Sequence, residues 1–178
     1  ARGLVYGANY HKGQVLSYRI HEDGHLTFVD QATHQGSGPH ENQASPHVHY
    51  ADLTPDKLLI TCDLGTDQVV VYQVDDLGKL TKTQTYQTAP GAGPRHIIFH
   101  SHYKTAYLIN ELNATIDVLF YDGLGYFEHF QTISTLPKEY EGQKWPLLFA
   151  SQRIGKFLYA YKSMPITPLQ FMKSCMMV

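Results

Sequence analysis

Cysteine is almost missing from this sequence. Cys62 and Cys175 stand alone among 178 residues, too few for a disulfide framework, and a reduced, cytoplasmic protein is expected. A surplus of one charge is missing too. Fourteen Lys and Arg face 16 Asp and Glu, a formal net charge of -2, so no broad attraction to nucleic acid or an anionic membrane is expected. No apolar run is long enough to cross a bilayer, and no leader peptide is visible. The G-x-S-x-G pattern of a serine nucleophile elbow does not occur, so a serine nucleophile is not expected. Cys62 sits in an apolar strand pattern and reads as core.

What is present is Tyr, Val, Ile, Thr and Gly in short alternating runs, which favour strands and tight turns over helices. The runs repeat. Residues 4–39 and 58–94 each give an apolar strand, a polar turn, a second strand ending in Tyr, a turn with Gly, a third strand and then G-x-G-P. Tyr18 matches Tyr72 and Gly24 matches Gly78, each 54 residues apart. A third copy over 105–137 follows at an offset of about 48, which sets Glu111 against Asp63. "DGHL", "LGKL" and "LGYF" read as hairpin turns. "HVHYADL" and "RHIIFH" supply one more strand before the second and third copies, so each unit is expected to have four antiparallel strands. Such units at a period of roughly 40 to 50 residues predict an all-β fold of propeller blades, about three to four here. A β-sandwich explains the strands but not the recurring G-x-G-P.

In a propeller the innermost strand of each blade lines a central channel. "SPHVH" and "GPRH" enter equivalent innermost strands, so His47, His49, Arg95 and His96 are expected at one mouth. Glu111 in "NEL" is expected to return there. A cationic and an acidic group on one concave surface make a plausible site.

"GSGPHENQASPHVHYADLTPDK", "CDLGTDQV", "GAGPRHIIFH", "YLINELNATIDVL" and "FEHFQTISTLP" resemble the bacterial propeller-type 6-phosphogluconolactonases. That lactonase family also includes carboxymuconate-lactonising enzymes. The resemblance covers residues 3 to about 145. It implies a seven-bladed propeller in the intact family, hydrolysis of 6-phosphogluconolactone in the pentose phosphate pathway, and no required metal or other cofactor. Carried over by motif, it implies His49, Arg95 and Glu111 as catalytic residues. His47 and His96, from the same two loops, are expected beside the substrate. The family's further arginine, in "SNRG" after a "GKFLYA"-like strand, is absent: "YKSMP" follows "GKFLYA" here.

The chemistry fits these residue types. Histidine titrates near neutrality, so His49 can take a proton from attacking water. A fixed guanidinium offers charged donors to an oxyanion, a carboxylate or a phosphate, which is the expected role of Arg95. Glu111 could orient either of them or act as the base. Plainer readings stand beside these: His49 as a pairing group within a blade, and Arg95–Glu111 as a structural bridge. Asp63, Asp67, Asn110 and Asn113 read as turn residues bonding backbone amides. Other readings are a lactonase for another lactone, a propeller that binds a partner without catalysis, and a zinc or nickel site on His47-x-His49.

Two stretches break the repeat, residues 146–154 and everything from 161. Degenerate codons read two bases on permit a family-like pattern in both. The expectation is a partial propeller over 1–160 and an aberrant, frameshifted tail over 161–178, with Met164, Met172, Met176 and Met177 as an aggregation risk. Three to four blades would leave blade faces and edges open. Such a chain is expected to be poorly stable, to self-associate and to be inactive alone.

Overall fold

The computed structural model describes residues 3–136, 147–151, 157–162 and 175–177. Among these residues, fourteen strands form four sheets, each antiparallel with neighbours in chain order. The first sheet holds β1 (Leu4–Asn9), β2 (Gln14–Ile20) and β3 (Leu26–Thr33). The second holds β4 (Val48–Leu53), β5 (Leu59–Asp63), β6 (Gln68–Val74) and β7 (Leu80–Gln87). The third holds β8 (Pro94–Phe99), β9 (Thr105–Asn110), β10 (Thr115–Tyr121) and β11 (Phe127–Ser134). The fourth holds β12 (Leu147–Ser151), β13 (Phe157–Lys162) and β14 (Cys175–Met177). The strand β4 packs against β1 and β8, and β8 in turn packs against β5 and β12. This is the radial order of propeller blades, with β4, β8 and β12 innermost.

In the second blade the central strands β5 and β6 bury both of their faces, because that blade is covered on two sides. Val69 and Val71 of β6 join Ile60 and Cys62 against Ile97, Leu108 and Leu119 of the third blade. Val70 and Tyr72, on the opposite face of β6, pack with Leu59 and Val48 against Val15 of the first blade. That is why β5 and β6 read as continuous apolar runs, while the outermost strands β3, β7 and β11 are mostly exposed. Gly24 and Gly78 close equivalent hairpins with φ of 85° and 92°, a region where glycine pays no steric cost.

Three expectations are corrected. The first copy has three strands among the described residues, not four, because β1 aligns with β5 and no described strand aligns with β4. The third copy lies 47 residues after the second. The left-handed residues that close equivalent turns, Gly13 (φ 59°), Asp67 (φ 58°) and Ala114 (φ 57°), show this. Asn110 therefore matches Asp63, and Glu111 matches Leu64 and Tyr10. Finally, Asn110 and Asn113 bond side chains, not amides: Asn110 Nδ2 donates to Asp117 Oδ2 (2.9 Å), and Asn113 Oδ1 accepts from the Thr115 hydroxyl (2.7 Å).

Asp63 and Asp67 do hold amides. Asp67 accepts from the backbone N–H groups of Gly91 (2.7 Å) and Gly93 (2.8 Å), and from Gln43 Nε2 (2.7 Å). One buried carboxylate thus holds the second G-x-G-P loop directly and the first through Gln43, whose backbone O accepts from Gly38 N (2.9 Å). The expected break over 146–154 and the expected tail fall mostly outside the described residues; within the tail, Tyr161 and Lys162 belong to β13 and Cys175–Met177 pairs with it. No helix among the described residues is long and apolar enough to cross a membrane.

Candidate active site

The site is built by two β-bulges at matching places in neighbouring blades. In β4, Val48 faces Asp63 and Tyr50 faces Cys62, which leaves His49 as the extra residue. In β8, Pro94 faces Asn110 and His96 faces Ile109, which leaves Arg95 as the extra residue. A bulge breaks the period-two alternation and re-aims the side chain it carries. Both side chains line one cavity of about 300 Å³, together with Ala8, Tyr10, Val48 and Glu111. Glu111 follows the last residue of β9, and its amide donates to Gly93 O (2.8 Å), which ties it to the loop entering β8.

Arg95 Nη1 donates to Glu111 Oε2, and both side chains are only 16% exposed. The guanidinium is thereby held in place with donors to spare: Arg95 Nε is buried and has no partner among the described residues. His49 Nδ1 is likewise buried without a partner. Burial, then the Arg95 charge, then His96, push the His49 imidazole down to about 4. Burial and Arg95 also lower His96. At neutral pH His49 is therefore an uncharged imidazole, able to accept a proton, beside a guanidinium already balanced by a carboxylate.

The mouth also contains a tyrosine that the sequence reading did not single out. Tyr10 lies in a short 3-10 turn, Tyr10–Lys12, capped by Asn9 and closed by Gly13. Its ring stacks on His47 (centroids 4.5 Å, 12° between planes) and meets His49 edge-on at 5.9 Å. His47 faces away from the cavity: its Nδ1 meets Tyr10 O at 3.2 Å, and its amide donates to Asp63 Oδ1 at 2.7 Å. His96 stands edge-on to His49 at 5.0 Å and to Tyr50 at 5.2 Å. So His49, Arg95 and Glu111 meet in the cavity wall, while His47 and His96 brace it from behind. The alignment by left-handed residues puts Tyr10 where Glu111 sits.

Behind His47 lies a buried relay. His34 Nδ1 donates to Asp63 Oδ2 (2.7 Å), and His34 Nε2 meets the Tyr72 hydroxyl (2.7 Å). His34 is 6% exposed and Asp63 not at all. Burial works to raise the Asp63 carboxyl, but bonds from His34 and from the His47 amide outweigh it and hold it below its usual range. No three His, Cys, Asp or Glu side chains converge as a metal-binding group among the described residues. The bulge at His49 separates the directions of His47 and His49, with Tyr10 between them.

The profile of the lactonase family of seven-bladed β-propellers matches residues 1–163. The chain is 54% identical over 161 residues to an uncharacterized protein of Lactococcus lactis subsp. cremoris, covering 90% of this chain and 47% of that one. It is 39% identical over 159 residues to the 6-phosphogluconolactonase of Bacillus subtilis, covering 88% of this chain and 45% of that one. Among solved structures, the periplasmic gluconolactonase of Pseudomonas aeruginosa superposes with a TM-score of 0.80 at 30% identity, over 88% of this chain and 46% of that one. The chain thus spans about half the length of the curated relatives it matches. With the blade order, the paired bulges and this match over most of its length, the chain belongs to the seven-bladed β-propeller lactonase family.

Proposed function

We propose that the cavity between β4 and β8 hydrolyses the ester bond of a sugar lactone. The observation that carries this is the pair of equivalent bulges, which deliver an uncharged imidazole and a carboxylate-anchored guanidinium to one cavity. Water attacks the lactone carbonyl, and His49 takes the proton it loses. The developing oxyanion is met by the remaining donors of Arg95, which Glu111 holds in position. The ring oxygen then leaves as a hydroxyl, and a hydroxy acid results. The likeness to the B. subtilis enzyme supports 6-phosphogluconolactone, with 6-phosphogluconate as product. The charge balance of the site supports a second substrate, the unphosphorylated gluconolactone: among the described residues lining the cavity, the Arg95 guanidinium is already paired with Glu111, and no other cation is offered to a phosphate.

The test is product binding followed by turnover. The folded chain is titrated with gluconate and with 6-phosphogluconate while the His49 and His96 ring protons are followed by NMR. Lactone loss is then measured against the spontaneous rate. Binding that shifts both rings, and that weakens about 10- to 100-fold in Arg95→Ala, is the expected result, from the loss of a charge-assisted bidentate donor. A folded chain that neither binds product nor accelerates hydrolysis overturns the reading.

A further inference from the structure

We propose that Tyr10 is a further catalytic residue, the donor that protonates the departing ring oxygen; this rests on the lactonase reading above. Three observations converge on it. Tyr10 forms part of the cavity wall, with His49, Arg95 and Glu111. Its hydroxyl makes no hydrogen bond to another described residue, although its ring is fixed by stacking on His47 and by edge contacts with His11 and His49. And its phenol feels the charges of Glu111 and Arg95 directly: burial first, then Glu111, raise its pKa, against a smaller lowering by Arg95. A phenol so placed stays protonated at neutral pH and keeps its donor role.

The ring is clamped while the hydroxyl has no partner among the described residues, which is the arrangement of a group built to act on a ligand. The clamp has a cause in the fold. Asp63, bonded by His34, accepts the His47 amide. His47 then stacks on Tyr10 and meets its carbonyl. Asn9 and Gly13 fix the turn that carries the ring.

The step balances. Water adds to the carbonyl carbon, its proton passes to His49, and the carbonyl electron pair becomes an oxyanion facing Arg95. On collapse the carbonyl re-forms and the bond from carbon to ring oxygen breaks. The electron pair goes to the ring oxygen, which takes the phenolic proton of Tyr10. The tyrosinate recovers a proton from the His49 imidazolium. Nothing is consumed beyond lactone and water.

Tyr10→Phe tests this, because it removes only the hydroxyl and keeps the ring on His47. Glucono-1,5-lactone, whose leaving group is an alkoxide, is compared with dihydrocoumarin, a six-membered lactone whose leaving phenolate needs no proton. On gluconolactone the variant is expected to lose about 100-fold in kcat, with KM within about threefold and an unchanged unfolding temperature. On dihydrocoumarin its rate is expected to stay within about twofold. Equal losses on both lactones, an unchanged kcat on gluconolactone, or a fall in unfolding temperature that accompanies the loss each overturn the assignment. A wild-type chain that turns over neither lactone also overturns it; gluconate binding at His49 then decides separately whether the lactonase reading falls too.

Discussion

His49 carries the electrostatic signature that bears most directly on the proposed reaction. Its imidazole is lowered to about 4, mainly by burial and then by Arg95, against an unfolded value near 6.5. The sign of the linkage follows. Between about pH 6.5 and 4 the unfolded chain binds the His49 proton and the folded chain does not, so folding stability declines as pH falls through that window. Asp63 acts lower on the scale. Its folded carboxyl lies below its usual value, so its contribution is present at neutral pH and is lost only as pH falls through that lowered value. In Arg95→Ala the NMR midpoint of His49 should rise but stop short of 6.5, because burial, the larger cause, remains. In His49→Gln, urea unfolding between pH 7 and 4.5 should depend less on pH than in wild type. A midpoint already near 6.5 in the wild-type chain would show that the ring is hydrated and that neither burial nor Arg95 lowers it.

At the scale of elements, the blade repeat was legible because its period is written in side chains that must be apolar on both faces of β5, β6, β9 and β10. The hairpin glycines and the G-x-G-P loops were legible for a similar reason, since left-handed backbone selects few residues. Two features were not. A bulge adds one residue without a compositional mark, so "VHY" and "PRH" do not reveal that His49 and Arg95 are the extra residues. The third copy was also misread by one position, because Glu111 resembles Asp63 chemically while backbone conformation aligns it with Leu64 and Tyr10. That slip hid Tyr10. Asp63, read as a turn residue, does hold the amides of His47 and Gly65; that it also accepts from His34, 29 residues away, was not legible. Asp63→Ala strands those buried donors together, and it should cost about 3–5 kcal/mol in urea unfolding at pH 7, the range for breaking a buried ionic cluster on one side. The same variant should lose the His47–Tyr10 stack. A loss below about 1 kcal/mol would mean that water replaces the carboxylate and that the relay does not hold the mouth.

The whole molecule raises the question of what covers the first blade. Positions 54 residues apart give a direct comparison. Leu59 and Val74 of the second blade are 0% and 4% exposed, because they face the first blade. Their counterparts Val5 and Ile20 are 38% and 44% exposed. Phe28, 52% exposed, extends the same surface through its edge contact with Tyr18. The edge of β1 is open as well, since among the described residues β1 pairs with β2 alone. An apolar blade face beside an unpaired strand edge is a surface that buries itself when it can. The second blade shows the kind of surface that fits there, an apolar face of another blade. We propose that this chain, taken alone, covers it with a second copy in solution. Sedimentation velocity should therefore show association that grows with concentration across the micromolar range. Val5→Lys puts a charge in the middle of the face while leaving the cavity wall untouched, so it should shift the distribution toward monomer and keep product binding at His49 intact. A wild-type chain that stays monomeric throughout that range, with one sharp unfolding transition, would mean that the open face is tolerated in water. A Val5→Lys chain that associates as strongly as wild type would place the contact elsewhere on the propeller.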